Sequence, residues 1–223
     1  MISLLLHQLL LSGSIATFGL PPEKPIVVPT VENCRTVMTD GIIEADEWKG
    51  AHEILIDGAD STGLLIKQDT DFIYIAIRTR FQRLSYVDLY IQADDENTIL
   101  NLHSSSQIGE RILSDTLFTD TSPAFHFGNQ KEWYANEIRF DRIKAQELVA
   151  ANPNRDRNLM QLETNYYYDG FEYLLKKSRF SYKRMRVRAE IKTGMPGHQN
   201  IFYPKASLQK HPETWQEFVV KGN

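Results

Sequence analysis

The sequence predicts an all-β fold, an antiparallel β-sandwich with one short helix, from three observations. Segments of about seven residues alternate apolar with polar side chains, and turn signals separate them. Helical periodicity is confined to a single stretch. A chain of 223 residues, 42% hydrophobic and 11% aromatic, suits one large domain with a real core. Many short strands with little helix mean a sandwich or a barrel.

The N-terminus predicts export. Ile2 to Leu11 is a short apolar run, and Ser14 and Ala16 stand at the small-residue spacing of a signal-peptidase site. The run is too short to span a bilayer, so no membrane span is expected. The predicted organisation is a signal peptide over 1–16, an extended lead-in over 17–35 and the sandwich domain over 36–223, in a periplasmic or extracellular protein. Leu20 to Pro29 carries four prolines, which keep it out of a sheet interior. Cys34 is the only cysteine, so no intrachain disulfide can form.

Thr39 to Ala51, TDGIIEADEWKGA, combines an Asp-Gly turn, an acidic run and a Trp. A matching HPETW segment lies at His211 to Trp215, and both Trp48 and Trp215 are expected to close the ends of the sandwich. Strands are predicted at His52 to Ile56, Leu64 to Gln68, Phe72 to Thr79, Tyr86 to Gln92, Ile99 to His103, Phe171 to Lys177 and Met185 to Lys192. The turn Asp69-Thr70-Asp71 joins two of them as a hairpin. One helix is expected over Asp141 to Asn152, capped by Asp141, stopped by Pro153, with Ile143, Ala145, Leu148 and Val149 as a partial apolar face. Ser114 to Asn129 lacks periodicity and is expected to be a surface loop.

Alternation decides which side chains share a face. Val87, Leu89, Ile91, Leu100 and Leu102 point to the core. If the two strands pair through Ala93 to Asn97, then Asp88, Tyr90, Asn101 and His103 form one polar and aromatic patch. Such a patch suits a sugar, because carboxylates and amides bond hydroxyl pairs while rings cover the C–H face. The competing expectation is the wet side of an antiparallel sheet. Trp133 and the tyrosine run Tyr166 to Tyr168 are further candidate contacts, since large rings bind at low entropy cost. Asp94, Asp95, Glu96 and Asn97 gather oxygen ligands in a turn, as calcium takes them, but their spacing matches no EF-hand and solvated turn acids are the favoured reading.

Charge excludes little else. A net charge of −4 gives no footprint for nucleic acid. Arg179 to Lys192 nevertheless carries six bases against one acid, which suits either a solvated edge or a phosphate or polyanion site. No nucleophile elbow, phosphate loop or dinucleotide fingerprint occurs, and the six His and one Cys make no zinc spacing.

At these segments the chain resembles the family 9 carbohydrate-binding modules and the wider DOMON-like sandwich group. The matching pieces are Thr39-Asp40-Gly41 with Glu47-Trp48 and Ala51, Asp71 to Ile77, Val87 to Ile91, Asp169 to Tyr173, and Tyr203-Pro204 with Pro212 and Trp215. The resemblance implies a sandwich that binds poly- or oligosaccharide, often with structural calcium, and performs no catalysis. It also implies a sugar held between two Trp side chains, with help from a carboxylate at Asp88 and an Arg near the position of Asn101. The sequence departs at that clamp, where the region before Tyr86 offers Phe81 and Gln82. The expected function is therefore an exported, non-catalytic carbohydrate-binding module using Asp88, Tyr90, Asn101, His103, Phe81, Trp133, Tyr166 and Tyr167. The alternatives are an envelope interaction or structural protein that has lost the sugar site, and an enzyme, either glycoside-active or a haem carrier using His103 or His126 with Met160 or Met185.

Overall fold

The computed structural model describes residues 24–32, 37–57, 62–79, 84–93, 96–114, 124–128, 131–154, 163–180, 183–193 and 200–221. The first strands are β1 (Ile26–Val27), β2 (His52–Asp57), β3 (Thr62–Gln68), β4 (Phe72–Arg78), β5 (Leu84–Ala93), β6 (Thr98–Ser104) and β7 (Ile108–Ser114). β8 (His126–Phe127), β9 (Trp133–Ala135), β10 (Gly170–Lys176), β11 (Arg184–Thr193), β12 (Ile201–Tyr203) and β13 (Gln216–Val219) follow, with helix α1 (Arg142–Ala151) between β9 and β10. They build two sheets. The large one runs β1-β13-β11-β5-β6-β7-β8, with β12 also on β11, and the small one runs β2-β3-β4-β10-β9. The fold is an all-β sandwich with one short helix, as the alternation predicts.

The core lies between the sheets and follows from strand period. Leu64 and Ile66 of β3, Ile73, Ile75 and Ile77 of β4, and Phe171, Tyr173 and Leu175 of β10 meet Val87, Leu89 and Ile91 of β5, Leu102 of β6, and Val187, Ala189 and Ile191 of β11. The seven predicted strands are present, each within a residue or two of its expected bounds. β1 pairs with β13 at the edge of the large sheet, where a proline-rich lead-in is tolerated. Cys34 and residues 1–23 lie outside the described residues.

Four expectations need correction. Trp48 and Trp215 do not close the ends of the sandwich; each plugs the outer face of one sheet. Trp48 packs with Val37, Leu65, Tyr74, Ala76 and Leu174, and Trp215 with Tyr90, Ile99 and Leu113. Second, Trp133 is no contact surface. It is fully buried against Tyr173, and its indole N–H donates to Glu110 Oε2 at 2.7 Å. Third, the expected loop after Ser114 holds β8, which pairs with β7 through Gly109 and Glu110. Fourth, α1 buries none of its residues, and Ile143 is 71% exposed. Asp141 caps it as expected, accepting from the N–H groups of Ile143 and Lys144.

The Thr39 to Ala51 segment straps the outer face of the small sheet. Gly41 sits at φ +86°, which a glycine adopts without strain. Its N–H donates to Glu172 Oε2 at 3.0 Å, and the Trp48 indole N–H donates to Glu172 Oε1 at 3.0 Å. Beneath the strap, the fully buried Lys67 ammonium donates to the Glu47 carbonyl and lies 5.6 Å from the Trp48 ring and 5.4 Å from that of Tyr74. Where strap meets sheet, a Cβ on Gly170 would lie 2.0 Å from the Ile77 carbonyl oxygen. Gly170→Ala must therefore part β10 from β4. We expect a loss of about 1–3 kcal/mol in urea unfolding, and an unchanged midpoint would contradict this tight fit.

Candidate functional site

The outer face of the large sheet carries the predicted patch. β5 and β6 are antiparallel neighbours with Asp88 opposite His103 and Tyr90 opposite Asn101. On its other edge β5 meets β11, placing Glu190 opposite Asp88, Arg188 opposite Tyr90 and Lys192 opposite Tyr86. β12 then sets Phe202 opposite Glu190, while β7 and β8 set Gly109 and Phe127 beyond His103. One row thus crosses the sheet as Phe202, Glu190, Asp88, His103, Gly109 and Phe127. Its middle is acidic and both ends are aromatic.

The face is neither uniformly wet nor uniformly open. One half is closed: Tyr90 is 1% exposed and Asn101 is 0% exposed. Trp215 lies 6.0 Å from the Tyr90 ring and donates its indole N–H to the Leu208 carbonyl at 2.8 Å. Gln209 donates to the Tyr90 hydroxyl at 2.9 Å. Burial, together with the charges of Asp88 and Glu190, raises the Tyr90 phenol far above its usual range, so it stays protonated.

The other half is ringed by aromatics and opens at its rim: Asp88 is 8% exposed and Tyr86, His103 and Phe125 are half-buried, while Phe127 is exposed. His103 Nδ1 lies 2.8 Å from Asp88 Oδ1, and its Nε2 lies 2.9 Å from Ser105 Oγ. A carboxylate only accepts, so Nδ1 carries the proton in that pair. Around the imidazole stand Tyr86 at 5.4 Å, Phe125 at 5.0 Å and Phe127 at 6.0 Å. Phe127 is 52% exposed and folds across Gly109, where a Cβ would approach its ring to 2.9 Å. The missing side chain at 109 is what lets this ring reach the row. Burial first, then the charges of Glu190 and Asp88, push the Tyr86 hydroxyl up to about 12.

Two arginines pack on rings of this face. Arg111 lies 4.2 Å over Phe125 and donates from Nε to Asn101 Oδ1 at 2.7 Å. Arg188 lies 5.0 Å from the Tyr90 ring and 4.9 Å from that of Phe202. Glu190 accepts from Asn200 Nδ2 at 2.9 Å. Arg188, Glu190 and Lys192 belong to the basic stretch Arg179 to Lys192 read as a solvated edge or a polyanion site; nothing in the sequence marks Arg111, Phe125, Phe127 and Phe202. The even positions of β11 carry a readable signal, because alternation alone puts Arg186, Arg188, Glu190 and Lys192 on one side. What that side faces is set by a pairing with β5 about a hundred residues away, which no local pattern shows.

The remaining candidates fall elsewhere. Phe81, Asp94, Asp95 and Met160 lie outside the described residues. Tyr166 and Tyr167 are more than half exposed, but they belong to the loop ahead of β10 in the small sheet, where Tyr167 donates to Asp169 at 2.5 Å. Their neighbour Tyr168 is buried in the core. Among the described residues no three His, Cys, Asp or Glu side chains gather as a metal site. Met185 points into the inter-sheet core, opposite the face that bears His103, so those two cannot ligate one haem.

The fold is similar to that of family 9 carbohydrate-binding modules. Similar solved structures include such a module from Caldicellulosiruptor kristjanssonii in complex with glucose, with a TM-score of 0.50, 9% identity, and coverage of 90% of this chain and 97% of that one. The same organism's module in complex with cellotriose gives a TM-score of 0.50 and 10% identity over 90% of this chain and 95% of that one. No protein-family model and no curated protein sequence matches the chain. No helix among the described residues is long and apolar enough to cross a membrane.

Proposed function

We propose that this protein is an exported carbohydrate-binding protein without catalysis of its own, and that its sugar site is the open half of the large sheet's outer face. The observation that carries this is the row from Phe202 to Phe127. Asp88 and Glu190 sit side by side on adjacent strands and offer acceptors to neighbouring hydroxyls, while the rings of Tyr86, Phe125, Phe127 and Phe202 offer flat apolar cover. Similarity of fold to sugar-binding modules supports the same reading. The closed half alone would fit a sandwich that has lost its site; the exposed ring of Phe127 beside the Asp88–His103 pair argues for retention. Affinity on the scale of a single module is about 1 mM to 1 μM in Kd.

Asp88→Ala should leave the thermal transition of the sandwich in place and weaken glycan binding by about tenfold or more, since it removes a charged acceptor. A glycan array identifies a ligand, and calorimetry on wild type and variant measures the change. A ligand held equally well by both proteins would move the site away from Asp88, to the Tyr166–Tyr167 loop. Folded protein that binds nothing across a broad array would overturn the sugar reading itself.

A further inference from the structure

Building on the sugar site proposed above, we infer that its ligand is an acidic saccharide, a uronic-acid oligosaccharide whose carboxylate docks on Arg188. The basic stretch noted in the sequence becomes a one-sided feature in the fold. Met185, Val187, Ala189 and Ile191 take the inner face, so Arg184, Arg186, Arg188, Glu190 and Lys192 all take the outer one. Arg184 is spent on Glu217 at 3.0 Å, and Arg186 feels Glu213. Arg188, Lys192 and Arg111 remain around Asp88 and Glu190. Three cations thus stand around the two carboxylates at the acidic middle of the row, one formal positive charge in excess on a chain whose net charge is −4.

Arg188 itself is the second and independent observation. It is 4% exposed, yet Nε and Nη1 donate to no acceptor. Nη1 comes within 3.5 Å of Glu190 Oε2 without making a hydrogen bond, so Nε and Nη1, both shielded from solvent, each keep an idle donor. A buried charge with idle donors is costly, and proteins retain such groups where something else completes them. The flanking Tyr90 and Phe202 rings fix the guanidinium plane from both sides. A planar, immobilised fork matches a carboxylate in two parallel N–H···O bonds. Neutral sugar hydroxyls would satisfy Asp88 and Glu190 and could accept from this group singly, but they carry no charge and no pair of coplanar acceptors to match it.

The test uses the full chain and calorimetry with three ligands: a trigalacturonate, its methyl ester and cellotriose. The acid should bind roughly 10- to 100-fold more tightly than the ester, which has the same shape without the charge. Added salt should weaken the acid only. Arg188→Met, which replaces a buried cation by an apolar chain of similar length, should abolish that preference while retaining residual ester binding. Arg188→Lys keeps the charge without the fork and should fall between the two. Should Arg188→Met fail to fold, Lys192→Ala, an exposed position, is expected to weaken the acid several-fold and spare the ester. Equal affinity for acid and ester, or a preference that survives Arg188→Met, would overturn the inference while leaving cellotriose binding to support the sugar site. Failure of all three ligands would count against both. Inorganic phosphate that competes as well as the trigalacturonate would show an anion pocket with no saccharide specificity, and would likewise overturn it.

Discussion

Glu172→Gln is expected to uncouple stability from pH between about 4.5 and about 7. Glu172 is fully buried under the strap, and burial pushes its carboxyl up to about 7. The bonds from Trp48 and Gly41 oppose that rise, and the charges of Asp40 and Glu47 add to it. A carboxyl that is harder to ionise in the folded chain than in the unfolded one binds more protons when folded. Its contribution is therefore complete below about pH 4.5 and disappears as pH rises through about 7. That amounts to roughly 3 kcal/mol, or several degrees in melting temperature. The amide cannot ionise, but its NH2 cannot accept from Gly41 or Trp48 either, which costs about 1–3 kcal/mol at every pH. The variant should accordingly be the less stable protein near pH 4, with the gap closing or reversing by about pH 8. Melting curves at both ends decide it. A constant offset across the range would mean that Glu172 does not titrate there.

Trp215→Ala should cost about 3–5 kcal/mol, the largest single-residue loss expected here. Its ring is 2% exposed and supports Tyr90, Ile99 and Leu113, none of which belongs to the inter-sheet core. The damage should be local. Hydrogen exchange would show β5 and β6 amides near Tyr90 opening early, while those of β3, β4 and β10 keep their protection. Uniform loss of protection over both sheets would show instead that the Trp215 cluster and the main core unfold as one.

Much of the fold was legible because strand period is local. Val87, Leu89 and Ile91 alternate with Tyr86, Asp88 and Tyr90, and that alone assigns both faces of β5. β7 escaped because Glu110 breaks the pattern: it points inward, where Trp133 and Arg179 satisfy its carboxylate. The two outer-face tryptophans were placed at the ends because nothing in their neighbourhoods shows that each sheet is covered on its far side. For the site, the Asp88–His103 pair followed from a hairpin of short sequence separation. Arg188, Glu190 and Phe202 reach it by pairings of long separation, and Phe127 reaches it because residue 109 is glycine.

The first and last described strands also have a mechanical consequence. β1 and β13 are the terminal strands, they are parallel, and Val28 donates to the Val219 carbonyl at 2.9 Å. Tension applied through the two ends of the domain would pull these neighbours past each other along their length. Their bonds would bear load together and would not unzip in turn. The same lead-in grips Gln68 of the small sheet through Pro29 and Val31. A tether under flow or drag would thus be resisted at one edge by contacts to both sheets. Single-molecule pulling from the two ends, compared with pulling across β2, would measure that difference, and equal rupture forces would refute it.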